Sequence, residues 1–146
     1  IMAYVHLAHD CQVGNQTIFA NNTQLAGHVR VGDWAILGGF TVAHQFVRIG
    51  AHSFTAMGTI LLQDLPPFVT AAGNPAEPRG INAEGLKRRG YSAAAIAAIK
   101  RAFKTLYKSG MKLEEARATI GADAAAVPEL ALLANFLDGP GRGIIR

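Results

Sequence analysis

The sequence predicts a parallel β-helix of hexapeptide repeats followed by a C-terminal helical domain, and three observations carry that prediction. Every sixth residue from Ile1 is apolar or small: Ile1, Leu7, Val13, Phe19, Leu25, Val31, Leu37, Ala43, Ile49, Thr55 and Leu61. The next position is Gly or Ala in eight of those eleven hexads (Ala8, Gly14, Ala20, Ala26, Gly32, Gly38, Gly50, Ala56). Two positions before each bulky residue stands a small or β-branched one: Val5, Cys11, Thr17, Thr23, Val29, Ala35, Thr41, Val47, Ser53 and Thr59. Neither an α-helix nor a simple alternating strand has this period. Short flat strands joined by tight corners do.

In such a repeat the bulky residue fills the interior of a narrow prism, and the small residue two positions earlier shares that space. Gly or Ala is expected where the chain bends. Three hexads close one triangular coil, and Val13-Gly14, Val31-Gly32 and Ile49-Gly50 recur at that eighteen-residue spacing. Successive coils then stack at a strand separation of ~4.8 Å. A single coil cannot bury its own apolar face, so neighbours share the stability. The hexad rule fades after Leu61, which sets the β-helix at residues 1–68.

The stretch from Gln63 to Gly80 is rich in Pro and Gly, so residues 69–81 read as a crossing linker. Residues 82–146 read as the helical domain. Asn82 is a candidate N-cap for a short helix through Glu84 to Arg89, with Gly90 ending it. Ser92 caps a longer helix whose apolar residues Ile96, Ile99, Phe103, Leu106 and Tyr107 fall at helical spacing before Gly110. A third helix is expected from Leu113 to about Ile120. A fourth follows Pro128, with Leu130, Leu133, Phe136 and Leu137. The last eight residues read as turn and tail.

Half of the 146 residues are hydrophobic and 16% are charged, which excludes a wholly disordered chain. The lone cysteine, Cys11, lies on the small interior track and permits no disulfide within the chain, which suits a reducing, cytoplasmic setting. No apolar stretch approaches the length needed to span a bilayer, and no secretory leader is recognisable. The chain starts inside an established repeat, so further N-terminal coils are expected to precede it. Its net charge is +4. The basic residues gather after position 79, and no aromatic residues alternate with basic ones along the β part to form a stacking platform. Nucleic acid is therefore not the expected partner; an anionic small molecule is.

The histidines carry the chemistry. Folded modulo eighteen, His9, His28 and His44 fall at phases nine, ten and eight, on one edge of three consecutive coils. His6 lies just upstream, and His52 is out of phase. Two chemistries suit such an edge. A histidine can act as general base when an acid such as Asp10 fixes its tautomer, with a backbone amide at Gly27 holding a developing oxyanion. Alternatively, three histidines can hold zinc with an open position for water, as in carbonic-anhydrase-like trimeric β-helices. A trimerising scaffold without activity is the third reading.

The segments His6–Cys11, Asn21–His28, Val42–Phe46, Asp64–Val69, Gly73–Ala76, Ile81–Gly90 and the terminal RGIIR resemble the bacterial UDP-N-acetylglucosamine O-acyltransferases, enzymes of the first step of lipid A synthesis. The resemblance covers essentially the whole chain. It implies a left-handed coil, a cytoplasmic homotrimer without cofactor or metal, and transfer of an (R)-3-hydroxyacyl group from acyl carrier protein to the 3-hydroxyl of UDP-N-acetylglucosamine. On this resemblance His9 is the general base, Asp10 orients it, and the Gly27 amide meets the oxyanion. His6, His28, His44 and Gln45 match substrate-contacting positions. Asn82, Glu84, Arg88 and Arg89 match the region that reads the nucleotide and its phosphates. Met57, expected one coil beyond the His edge, matches a hydrocarbon ruler, where a bulky side chain favours a shorter acyl donor.

Overall fold

The computed structural model describes residues 1–146 and shows a left-handed parallel β-helix closed at one end by helices. Ten two-residue strands run at His6–Leu7 (β1), Gln12–Val13 (β2), Ile18–Phe19 (β3), Gln24–Leu25 (β4), Arg30–Val31 (β5), Ile36–Leu37 (β6), Val42–Ala43 (β7), Arg48–Ile49 (β8), Phe54–Thr55 (β9) and Ile60–Leu61 (β10). They are followed by β11 (Val69–Ala72) and β12 (Glu77–Ile81). Each face of the prism is one sheet. Face A holds β1, β4, β7 and β10; face B holds β2, β5 and β8; face C holds β3, β6, β9, β11 and β12. The register is the eighteen-residue step read from the sequence, with His6 beside Gln24, Gln24 beside Val42 and Val42 beside Ile60.

Both interior tracks point inward. Phe19, Leu25, Leu37, Ile49 and Leu61 are buried, as are Thr23, Val29, Ala35, Thr41, Val47, Ser53 and Thr59. The buried hydroxyls are satisfied locally: Thr41, Ser53 and Thr59 each donate to the carbonyl three residues back. The Gly/Ala track is small for a different reason from the one expected. A Cβ on Gly32 would lie 2.6 Å from the Ala51 nitrogen, so at the glycine positions of the track the next coil's backbone leaves no room for a side chain. The bend itself falls two residues later. Tyr4, Asp10, Gln16, Asn22, His28, Trp34, Phe40, Phe46 and His52 all take left-handed φ values between 58° and 69°. Non-glycine residues there cost ~1–3 kcal/mol each. Four of these corner side chains, His28 with Phe46 and Trp34 with His52, stack along the prism edges from one coil to the next.

Residues 69–81 are not a linker. β11 pairs in parallel with β9, and β12 returns antiparallel to β11, so this segment extends face C as a hairpin. Gly73 and Pro75 sit in its turn, and Pro78 and Gly80 lie inside β12 itself, which is why composition alone read as a crossing. The helices are α1 (Ala83–Arg88), α2 (Ala93–Tyr107), α3 (Leu113–Ala126) and α4 (Ala131–Asp138), with a short 3-10 turn at Pro128–Leu130. Asn82 and Ser92 cap α1 and α2 through Gly85 and Ala95 nitrogens, and Gly90 and Gly110 take positive φ after them. α3 runs six residues past Ile120 because the following segment is rich in alanine, the best helix former.

Phe103 of α2 and Ile145 of the tail belong to the prism's own apolar core, while Ile81 and Tyr107 touch both that core and the one between the helices. The helical domain thus plugs the end of the prism. The tail is structural rather than free: Ile144 and Ile145 are buried, and Ile144 bridges to Asp64.

Candidate active site

The corner between faces A and B collects the first group of candidate residues. His9 and Asp10 form the turn after β1, and His9 Nδ1 lies 3.0 Å from Asp10 Oδ2. An ionised carboxylate only accepts, so the proton sits on Nδ1 and the Nε2 lone pair is available. That hydrogen bond, joined by the nearby charge of His28, holds the Asp10 carboxyl below its ordinary range. His28 occupies the same corner one coil on. Its Nε2 is 3.8 Å from Asp10 Oδ2, and its ring meets His9 edge-on at 5.0 Å and stacks on Phe46 at 4.7 Å. The left-handed corner backbone produces this column: Asp10, His28 and Phe46 are successive positions along it.

Gly27 is the floor beneath His9. A Cβ placed there would lie 2.7 Å from both His9 Cε1 and Nε2, so the lone-pair edge of the ring rests against the glycine α-carbon. The Gly27 carbonyl accepts from Phe46, whereas its N–H donates to no group of the protein. An imidazole edge and an unused amide donor therefore stand side by side. His6 is exposed on face A, beside Gln24. His44 and Gln45 occupy the turn of the third coil, both exposed, with His44 Nδ1 3.1 Å from the Gln45 carbonyl oxygen. An open cleft of about 760 Å³ follows this edge, from Asp10 and His28 past Phe46 to Arg30, Arg48 and Arg142.

The three-histidine metal set of the alternative reading does not form. The ligand atoms that converge, within 4.8 Å of one another, belong to His9, Asp10 and His28; His44 stays outside because its turn sits a further coil along. Zinc there would have two imidazoles and a carboxylate.

The second group lies elsewhere. Asn82, Glu84, Arg88 and Arg89 line one open pocket of about 440 Å³ on face C, floored by Ile36, Phe54 and Thr70. Face C is the side of the triangle opposite the corner between A and B, so this pocket and His9 face apart within one chain. Met57 is also displaced from its expected place. It follows β9 and precedes β10, which puts it at the corner between faces C and A, 77% exposed, not one coil beyond the His edge. The residue's phase in the eighteen-residue repeat, three rather than eight to ten, is the signal that shows this.

Two residues that matter were not singled out. His52 is 7% exposed and stacked between Trp34 and Phe68. Burial first, and the Arg89 charge second, push its imidazole down to about 4. Arg89 hydrogen-bonds it from α1's end at 2.9 Å, so Arg89 is oriented rather than loose. Asp64 is fully buried against Arg48. The corner column Gln16, Trp34, His52 is legible at the same spacing as the column of Asp10, His28 and Phe46; Asp64 lies past the repeat and leaves no such trace.

No helix is long and apolar enough to cross a membrane. Residues 64–145 match the family model described as UDP N-acetylglucosamine O-acyltransferase, domain 2. The chain is 58% identical over its full length to the acyl-[acyl-carrier-protein]–UDP-N-acetylglucosamine O-acyltransferase of Thiobacillus denitrificans, and covers 57% of that protein. It is 38% identical to the Francisella novicida UDP-N-acetylglucosamine acyltransferase structure, with a TM-score of 0.97, covering 100% of this chain and 54% of that one. For LpxA from Acinetobacter baumannii the values are 43%, 0.94, 97% and 55%. The chain thus spans a little over half the length of the relatives it matches. By its matching model, its sequence and its fold, it belongs to the UDP-N-acetylglucosamine O-acyltransferase family.

Proposed function

We propose that this chain carries the catalytic portion of an acyltransferase that moves an (R)-3-hydroxyacyl group from acyl carrier protein to the 3-hydroxyl of UDP-N-acetylglucosamine. The supporting observation is the His9–Asp10 hydrogen bond with the His9 Nε2 edge resting on Gly27. His9 Nε2 takes the hydroxyl proton as the sugar oxygen attacks the thioester carbonyl. Asp10 stabilises the imidazolium through Nδ1–H, and the Gly27 N–H meets the oxyanion. When the tetrahedral species collapses, the C–S bond breaks and the departing thiolate takes the proton from His9. No cofactor enters this scheme. His28, His44 and Gln45 along the same edge, with His6 on the adjoining face A, would hold the sugar and acyl groups, and Asn82, Glu84, Arg88 and Arg89 the nucleotide.

Because the two groups of residues face apart on one prism, a complete site needs His9 from one copy and the face C pocket from a neighbour. That favours a homotrimer; the single free cysteine suits the reducing cytoplasm, without membrane insertion. Asn82 enters the site as a rim residue, since its side chain already caps α1 and reaches the His52 carbonyl. Three ligand atoms at His9, Asp10 and His28 also favour a second reading, a carbonic-anhydrase-like zinc site. That reading leaves the Arg88 and Arg89 pocket without a use; stoichiometric zinc in the purified protein would support it.

The test is an assay with UDP-N-acetylglucosamine and 3-hydroxyacyl carrier protein, reading the acylated sugar nucleotide; absence of that product would overturn the proposal. Gly27→Ala is expected to push the His9 ring aside and lower turnover about 100-fold, as expected for a reacting group misplaced by ~1 Å, while melting temperature holds. Met57→Gly is expected to shift donor preference toward longer acyl chains. An unchanged chain-length profile would remove Met57 from the acyl path.

A further inference from the structure

We propose that His52 is a positioning residue that sets the Arg89 guanidinium for the diphosphate of a nucleotide; the inference rests on the acyltransferase reading. A guanidinium only donates hydrogen bonds. Arg89 Nη1 lies 2.9 Å from His52 Nδ1, so the Nδ1 lone pair faces the arginine and the imidazole proton sits on Nε2. Nε2 in turn lies 3.2 Å from the Tyr91 hydroxyl, whose oxygen accepts that proton's hydrogen bond. The tautomer is set from both sides.

The ring cannot swing away. Trp34 and Phe68 stack on its two faces at 6.3 and 5.8 Å, and Tyr91 meets it edge-on at 5.2 Å. Arg89 is held from a second direction, with its guanidinium carbon 5.1 Å over the Trp34 ring. Neither restraint neutralises its charge, since both partners are uncharged. A carboxylate in the place of His52 would orient Arg89 equally well but would neutralise it. A neutral imidazole orients the cation and leaves it free to meet an anion. Burial and the arginine itself keep the ring neutral through the physiological range. Apart from the bond to His52, Arg89's side chain makes no hydrogen bond or ion pair, and it lines the face C pocket beside the equally unpaired Arg88. Two cations, one of them fixed in direction, are what a diphosphate requires.

The experiment is calorimetric titration of UDP into the full chain and four variants. Arg89→Met is expected to weaken binding about 10-fold, the loss of one charge-assisted hydrogen bond. His52→Phe keeps the stack, removes both nitrogens, and is expected to cost about as much. Combined, the two changes should cost little more than either alone. His52→Asn returns an acceptor near the Nδ1 position and should recover most of the affinity, which a merely structural role would not predict. Should His52→Phe fail to fold, the His52→Asn and Arg89→Met results decide alone. Wild-type affinity in His52→Phe, additive losses, or no rescue by His52→Asn would overturn the inference while leaving the nucleotide pocket intact. No UDP binding by the unaltered chain, or none lost in Arg89→Met, would remove the nucleotide assignment and the inference together.

Discussion

Alanine in place of His9 is expected to lower acyl transfer by ~10²–10⁴-fold, the usual contribution of a positioned general base, with fold and nucleotide binding unchanged. The stability half follows from burial. His9 is exposed, its side chain 66% accessible, and it supports no part of the core. The catalytic half depends on where the two halves of the site lie. His9 stands at the corner between faces A and B, and the Arg89 pocket lies on face C opposite. His9→Ala and Arg89→Met chains, each deficient alone, are therefore expected to complement one another when refolded together. In a closed three-fold ring an interface is intact only where one chain supplies His9 and its neighbour Arg89. Random mixing leaves about one quarter of the interfaces intact, so about one quarter of wild-type turnover per chain should return. Mixtures no more active than the separate variants would sink the shared site. A His9→Ala chain with undiminished turnover would sink the general base.

The second large effect is on stability. Asp64 is fully buried after the last two-residue strand, and Arg48 donates to it twice, from Nε at 2.9 Å and from its backbone nitrogen at 2.8 Å. Arg48 also donates to the Phe136 carbonyl at 2.9 Å and lies 4.0 Å over that ring. The Asp64 main chain accepts from Ile145 and donates to Gly143. One ion pair thus joins the prism, the C-terminal tail and α4. Asp64→Ala strands the arginine charge without its partner, a loss of about 3–5 kcal/mol. For a domain of this size the melting temperature should fall by roughly 10–20 °C. The double variant Asp64→Ala with Arg48→Met is expected to recover part of the loss, because a buried pair can be replaced by apolar groups more cheaply than it can be broken. A shift of only a degree or two in Asp64→Ala, followed by calorimetry, would show that the tail is held by its isoleucines alone.

The periodic part of this molecule was open to reading from residues alone. Which side chains fill the prism, how many residues make a coil, and that His9 and His28 share an edge all follow from a spacing rule that acts within a few residues and repeats. The caps at Asn82 and Ser92 and the stops at Gly90 and Gly110 are legible for the same reason, since each uses a bond to a residue only a few positions away. The six-residue recurrence of left-handed corners was also present, though the small residues drew attention to the wrong position for the bend.

What escaped the sequence depends on partners far along the chain. His52 and Arg89 are 37 residues apart, and Arg48 and Phe136 are 88 apart. No local propensity specifies such pairs; they arise when the hairpin of β11 and β12 turns the chain back along face C and the helices close over the end. The same closure buries a tail that composition alone marks as loose. Sequence by itself determined the length of the coil, its interior and the edge that His9 and His28 share, because burying apolar side chains at a constant period fixes how many residues make one turn. Only the tertiary structure decided that Asn82, Glu84, Arg88 and Arg89 face away from that edge, because a triangular cross-section sets a face opposite each corner, and a linear pattern carries no such angle.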